Sequence, residues 1–240
     1  FYMAQAFSEA KGAIERREEG EKSKQREDEA KEAARKQKIK DMFHALRTSE
    51  VAVIVDHKQK VLPQSFRESS VEQYRKAGMS LLGAAVRFRL SNDEDAPVQT
   101  RYYDLVCEDN KQDAEQVQAI LTCLISIIRE DFPGVETISF VTDNGTAFSS
   151  GENMQYMWSM NKINWGIPPG GRTIRVNRWY FYEAQCGKTI LDTHFSFVGI
   201  ILNKYARSGS AISNTSDIYQ ALAMDGGIAN SSAVLVGITR

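Results

Sequence analysis

Few residues in this chain belong to the usual metal-binding or cross-linking sets. Of 240 residues, only Cys107, Cys123 and Cys186 are cysteines, far apart and odd in number. With no CxxC pair and no zinc-type spacing, a zinc ribbon or a disulfide scaffold is excluded, and a reducing compartment, nuclear or cytoplasmic, fits best. The three histidines, His44, His57 and His194, are equally scattered. No apolar run reaches the roughly 18 residues of a membrane span and no signal-peptide pattern opens the chain, so no membrane partner is expected. Charge of one sign is missing too. A formal net charge of −1 argues against a simple non-specific coat for nucleic acid, while leaving room for a local basic groove. The chain opens on Phe1 rather than Met, and is expected to be a piece of a longer protein.

What is present is ordinary globular composition, 42% hydrophobic and 25% charged. This length buries one sizeable core and carries an appendage. Residues 8 to 47 are rich in Ala, Glu, Lys and Arg, many of opposite charge three or four apart, which predicts a solvated helix. Its apolar positions are too sparse for a coiled-coil seam, and only Ile39, Met42, Phe43 and Leu46 form an apolar face. The expected division is a charged helical arm over 1–48, a core over 49–210 and a helix–strand extension of that core over 211–240.

The core reads as strand, strand, strand, helix, strand, helix, strand, helix. "VAVIV" (51–55) is a continuous apolar run, as in a strand covered on both faces, and it ends on Asp56. Strands follow at 79–90 and 99–108, suggesting a meander. Residues 112–131 put Val117, Ile120, Leu121, Leu124, Ile127 and Ile128 on one helical face. "TISFVTD" (137–143) is the fourth strand, a helix capped near Ser150 comes next, "TIRVNRWYFYE" (173–183) is the fifth strand, and 187–209 is a helix closed by Gly209. A helix and a strand, "SAVLVGI", complete the tail.

Two strands end on a lone acid, Asp56 and Asp143. The simpler reading of Asp143 is turn chemistry, with Asn144 and Gly145 supplying tight-turn backbone angles. The alternative is a metal ligand displayed at the carboxyl edge of a sheet. Two carboxylates brought together raise each other's pKa unless a cation neutralises them, and hard divalent ions with oxygen ligands suit that role. A third acid is needed to fix two ions. Asp192, among Ile190, Leu191, Phe195 and Val198, is the preferred candidate, because an unpaired acid there is costly to desolvate. Glu183 is kept as an auxiliary or substitute. A salt bridge from Asp192 to Lys188 is the competing reading.

"VTDNGTAFSS" (141–150) resembles the second catalytic block of retroviral-type integrases and related transposases. "GKTILDTHFSFVGIILNKY" (187–205) resembles their third block, with Asp192 where Glu is usual, as in Mutator-like and KDZ-type eukaryotic transposases. "VAVIVDHKQ" matches the first block as an apolar strand ending in Asp. The element order is that of the α/β ribonuclease H-like fold, a mixed five-stranded sheet flanked by helices. The resemblance, covering roughly residues 50 to 208, implies neighbouring first and fourth strands. It also implies two Mg²⁺ or Mn²⁺ ions on Asp56, Asp143 and Asp192, and cleavage and strand transfer of DNA by a DDE/DDD-type core, with a homo-oligomer as a possible assembly. Alternatives are a nuclease of the same fold that only hydrolyses, and an inactive descendant that binds nucleic acid or protein.

For nucleic-acid grip the candidates are Lys58, Lys60, Arg172, Arg175, Arg178 and Lys188. The aromatics Trp179 to Tyr182 suit either base stacking or the two faces of a buried strand. His194, two residues from Asp192, is expected to point off the acid's face as a surface or phosphate-contacting histidine.

Overall fold

The computed structural model describes residues 2–66, 76–93, 95–108, 110–161, 173–182 and 189–237, and the side chains from residue 20 onward among them. The chain divides into two compact units, Phe1–Asp41 and Met42–Arg240. The first is helical, part of α1 (Tyr2–His44). Its ion pairs Lys31–Glu27 and Lys36–Glu32 follow the i, i+4 spacing read from the sequence.

In the second unit, β1 (Glu50–His57), β2 (Ser80–Phe88) and β3 (Gln99–Cys107) form an antiparallel meander. Helix α2 (Ala114–Asp131) leads to β4 (Thr137–Asp143), which pairs parallel to β1. A one-turn helix α3 (Thr146–Ser149) and α4 (Gly151–Met160) precede β5 (Arg175–Tyr182), parallel to β4. Helices α5 (Ile190–Arg207) and α6 (Thr215–Ala223) then lead to β6 (Ser231–Val236). The strand order is β5-β4-β1-β2-β3-β6. The first five strands have the ribonuclease H-like order and directions anticipated from the sequence. The helix–strand extension expected after the five-stranded core joins the sheet: β6 adds a sixth strand, parallel to β3. A strand edge left bare exposes unpaired N–H and C=O groups, and β6 covers the edge of β3.

Val51 to Val55 are all buried because β1 lies between two strands and two layers of helices. The pleat sorts the side chains into those layers. Val51, Val53, Val55, Leu82, Ala84, Val86, Ile138 and Phe140 pack with α2 and with Phe148, Met157 and Met160 of α3 and α4. On the other face Leu81 and Val106 pack with Val198 and Leu202 of α5 and with α6.

The helix boundaries follow local chemistry. Asp113 caps α2 by accepting from Gln116 N–H, Ser150 caps α4, and Gly209 (φ 96°) closes α5 with its N–H on the Ala206 carbonyl. Helix α3, absent from the sequence expectations, is a single turn; four residues carry too little periodicity to be read.

Candidate active site

Alternation places the first two acids on one face. In β1, Val51, Val53 and Val55 face α2, so Asp56 faces the α5 layer; in β4, Ile138 and Phe140 face α2, so Asp143 faces the α5 layer as well. The parallel register pairs Ile54 with Val141. Two residues further on, both strands reach their acids at the same carboxyl edge of the sheet, where ligands gather in open α/β folds.

The third acid is delivered through a glycine. Gly83 of β2 lies opposite Asp56. A Cβ on Gly83 would sit 2.5 Å from Cε1 of Phe195 and 3.1 Å from Cδ2 of Leu191. The missing side chain is therefore the space into which the first turns of α5 settle. Asp192, on that first turn, lies close enough for its charge to act on Asp56. The Asp56 carboxyl is pushed up to about 6, first by burial, then by the charge of Asp143, with a smaller push from Asp192 outweighed by the His57 backbone N–H. No Lys or Arg forms an ion pair with any of the three acids among the described residues.

Asp143 is held by its own turn. Its Oδ1 accepts the Gly145 N–H at 3.0 Å, as Asp does in an Asx-turn. Neither Asn144 nor Gly145 has a positive φ; Gly145 has φ −65°. Glycine serves there because a Cβ would press 3.0 Å from Oδ1 of Asp143. Turn chemistry and display of the acid are thus the same arrangement. Asp192 is fixed too: its Oδ2 accepts the Thr189 N–H at 2.6 Å in a capping box, and the residue is exposed.

Among the described residues, no three His, Cys, Asp or Glu side chains close around a point as an ion's ligands would. Asp56 and Asp143 fit a hard divalent cation as a pair, being oxygen donors whose joint ionisation is disfavoured without one. Asp192 acts on the pair through its charge. Beside Asp56, the ring of His57 packs at a tilt against Phe148 with centroids 5.1 Å apart, both its nitrogens are unpaired, and burial lowers its pKa to about 4.

The basic residues distribute differently from the sequence expectation. Arg175 pairs with Thr137 at the start of β4, whereas Asp143 pairs with Tyr182. Six residues of strand, about 20 Å, separate Arg175 from the acids. Arg178 lies opposite Ser139 and donates to the Tyr180 hydroxyl at 2.9 Å. Lys58 braces α5, donating to the Phe195 carbonyl at 3.2 Å, and desolvation lowers its pKa. Lys60 is exposed just beyond β1. Arg172, Glu183 and Lys188 lie outside the described residues, as does Cys186. Trp179 and Phe181 pack against the α2-side core and stack on each other at 5.3 Å, settling them as core; Tyr180 and Tyr182 alternate to the other face.

His194 is a correction. It is 3% exposed, not a surface group, and its Nε2 lies 2.9 and 3.0 Å from the two carboxylate oxygens of Asp104. Asp104 also accepts from the Ser231 hydroxyl at 2.7 Å. The signal was an acid inside the apolar stretch "YYDLVC", which demands a buried partner; a glycine inside a strand, Gly83, similarly marks close approach.

No protein-family profile matches the chain, and no curated protein matches it. Solved structures are similar at low identity. The human cytomegalovirus terminase nuclease domain has 10% identity and a TM-score of 0.30, over 80% of this chain and 66% of that one. The Mos1 mariner paired end complex with Mn has 10% identity and a TM-score of 0.30, over 72% of this chain and 51% of that one. The Drosophila P element transposase strand transfer complex has 15% identity and a TM-score of 0.27, over 68% and 30%. The chain spans less than two thirds of each.

Proposed function

We propose that this chain is a divalent-metal-dependent nuclease core acting on phosphodiesters, with DNA as substrate and strand transfer as its finer activity. The observation that carries the reading is the placement of Asp56 and Asp143 side by side at the carboxyl edge of two parallel strands, where burial and the neighbouring charge push the Asp56 carboxyl up. Two carboxylates held where both cannot comfortably ionise are kept there at a cost in stability, and a cation relieves it. Asp56 and Asp143 would hold the ion, with Asp192 as third donor through the oxygen its capping bond leaves over. Bound Mg²⁺ or Mn²⁺ would supply an activated water or 3′-hydroxyl and stabilise the leaving oxygen. The chain's own part is to fix Asp143 through Gly145 and to seat α5 through Gly83.

The test is cleavage of a labelled DNA duplex and of a pre-cleaved end in Mg²⁺ and Mn²⁺. Joined products support strand transfer, and cut products alone support a hydrolytic nuclease. Loss of both in Asp56→Asn and Asp143→Asn ties either activity to this site. A second reading, an inactive nucleic-acid- or protein-binding descendant, is favoured by the engagement of Asp192 in its helix cap. It prevails if no metal binds and no product forms.

A further inference from the structure

The edge of the sheet beside the acids carries a row of side chains that the metal reading leaves unused. β5 is the edge strand next to β4, and its register places Tyr182 beside Asp143, Tyr180 beside Val141 and Arg178 beside Ser139. Paired positions in a sheet share a face. Arg178, Tyr180 and Tyr182 therefore stand on the face to which Asp143 points, while Trp179 and Phe181 fill the core on the α2 side. The helices of the Asp143 side, α5 and α6, lie over β1, β2, β3 and β6. Arg178 is exposed and both tyrosines are half-buried.

The row is spaced for one kind of occupant. Alternate residues of a parallel strand stand about 6.6 Å apart, nearly twice the roughly 3.4 Å between stacked bases along one DNA strand. A stacked strand falls out of step with the row within one nucleotide. A strand pulled straight, with its bases unstacked, meets one side chain per nucleotide. An aromatic face takes any unpaired base, and a guanidinium takes the phosphate beside it. Here ring and cation are coupled, because Arg178 donates to the Tyr180 hydroxyl at 2.9 Å, one of the five N–H donors a guanidinium carries. Glu50 is the acid whose charge reaches Arg178, as the weakest of the influences on it. The row stops at Arg178, since the bulge at Ile138/Ser139 breaks the register beyond it.

We propose that Arg178, Tyr180 and Tyr182 form a track for an unpaired DNA strand, running along β5 and ending at the strand-end acids. Each tyrosine takes a base on its ring, Arg178 holds a phosphate, and the phosphodiester that follows falls beside Asp143. A duplex engages the track where its end has opened, because bases inside a stack offer no free face to a ring. The track rests on the nuclease reading for what happens at the acids; the grip itself belongs to β5. The competing role for the rings, covering Val141 in place of a helix, needs apolar bulk and no flat ring.

Binding is measured in EDTA, so that grip and cleavage are read separately. The probes are a fluorescent oligothymidine of about 12 nucleotides and a duplex of the same length, followed by anisotropy. Tyr180→Leu and Tyr182→Leu keep the bulk and lose the ring, and each should weaken single-strand binding at least about fivefold. Duplex affinity should stay within about twofold in both, and Tyr180→Phe and Tyr182→Phe should hold the single strand within about twofold of the parent. Arg178→Ala should lower the salt slope for the single strand by about 0.7. Should a leucine variant not fold, the parent chain is irradiated with a strand carrying iodouracil and the adducts are mapped by mass spectrometry; they should fall on Tyr180 or Tyr182. Leucine variants that bind the single strand as the parent does, a duplex affinity that falls in step, or adducts confined to other residues would overturn the proposal.

Discussion

Asp56 on β1 and Gly83 on β2 face each other across an antiparallel pair, and the side chain Gly83 lacks is replaced by the ring of Phe195. A residue with no chemistry of its own thereby decides how closely the helix bearing Asp192 approaches the two strand-end acids.

Gly83→Ala should therefore act at a distance. The new Cβ meets an aromatic ring at 2.5 Å, and overpacking of this kind costs about 1–3 kcal/mol. Urea denaturation should show that loss, and calorimetry should show weaker Mn²⁺ binding as α5 is pushed outward. Adding Phe195→Leu to the variant should recover part of both.

Asp56→Asn should stabilise the metal-free protein at neutral pH. The folded pKa of about 6 lies above the ordinary 3.8, so the folded state holds a proton that the unfolded state releases. Stability then falls as pH rises from 4 through 6. Discounting for the solvent that reaches the group, the variant should gain about 1–2 kcal/mol over the parent at pH 8 and nothing below pH 4. Denaturation at the two pH values measures it. Millimolar Mg²⁺ should stabilise the parent at pH 8 and leave the variant unchanged.

Asp143→Ala removes both a proposed ligand and the acceptor of the Gly145 N–H. Calorimetric affinity for Mn²⁺ should fall at least about tenfold, in line with loss of one ligand of few. Equal binding by parent and variant would leave the metal site without support.

Asp104 and His194 should behave as a buried pair. Removing one partner strands the other, so Asp104→Ala should destabilise by about 3–5 kcal/mol. The Asp104→Leu/His194→Leu double variant should lose less than the sum of the single changes. A double-mutant cycle by urea denaturation reads the difference.

Arg175→Glu, at the opposite end of the sheet from the acids, should leave DNA cleavage within about twofold. Lys60→Glu, beyond the end of β1, should weaken DNA binding and lower its salt slope by about 1. Filter binding at several salt concentrations separates the two.

The periodic signals in this sequence are local, and they determined the elements. A continuous apolar run marked β1 and a short hydrophobic stretch marked β4 as strands ending on acids, the 3.6-residue pattern marked α2, and Asp113, Ser150 and Gly209 set helix ends, because hydrophobic period and capping act within a few residues. The same local signals could not tell which of two neighbouring chemistries a residue serves. Lys58 looked like a phosphate contact and braces a helix; Arg175 stood near the aromatics in sequence and lies at the far edge of the sheet. His194 and Asp104, 90 residues apart, met only because α5 packs on the face of the sheet to which Asp104 of β3 points. Register, strand order and the depth to which α5 sinks over Gly83 are set by packing between distant segments. Only the tertiary structure decided which buried polar groups found partners, since desolvation penalises every unpaired one and the partner is chosen by proximity in space.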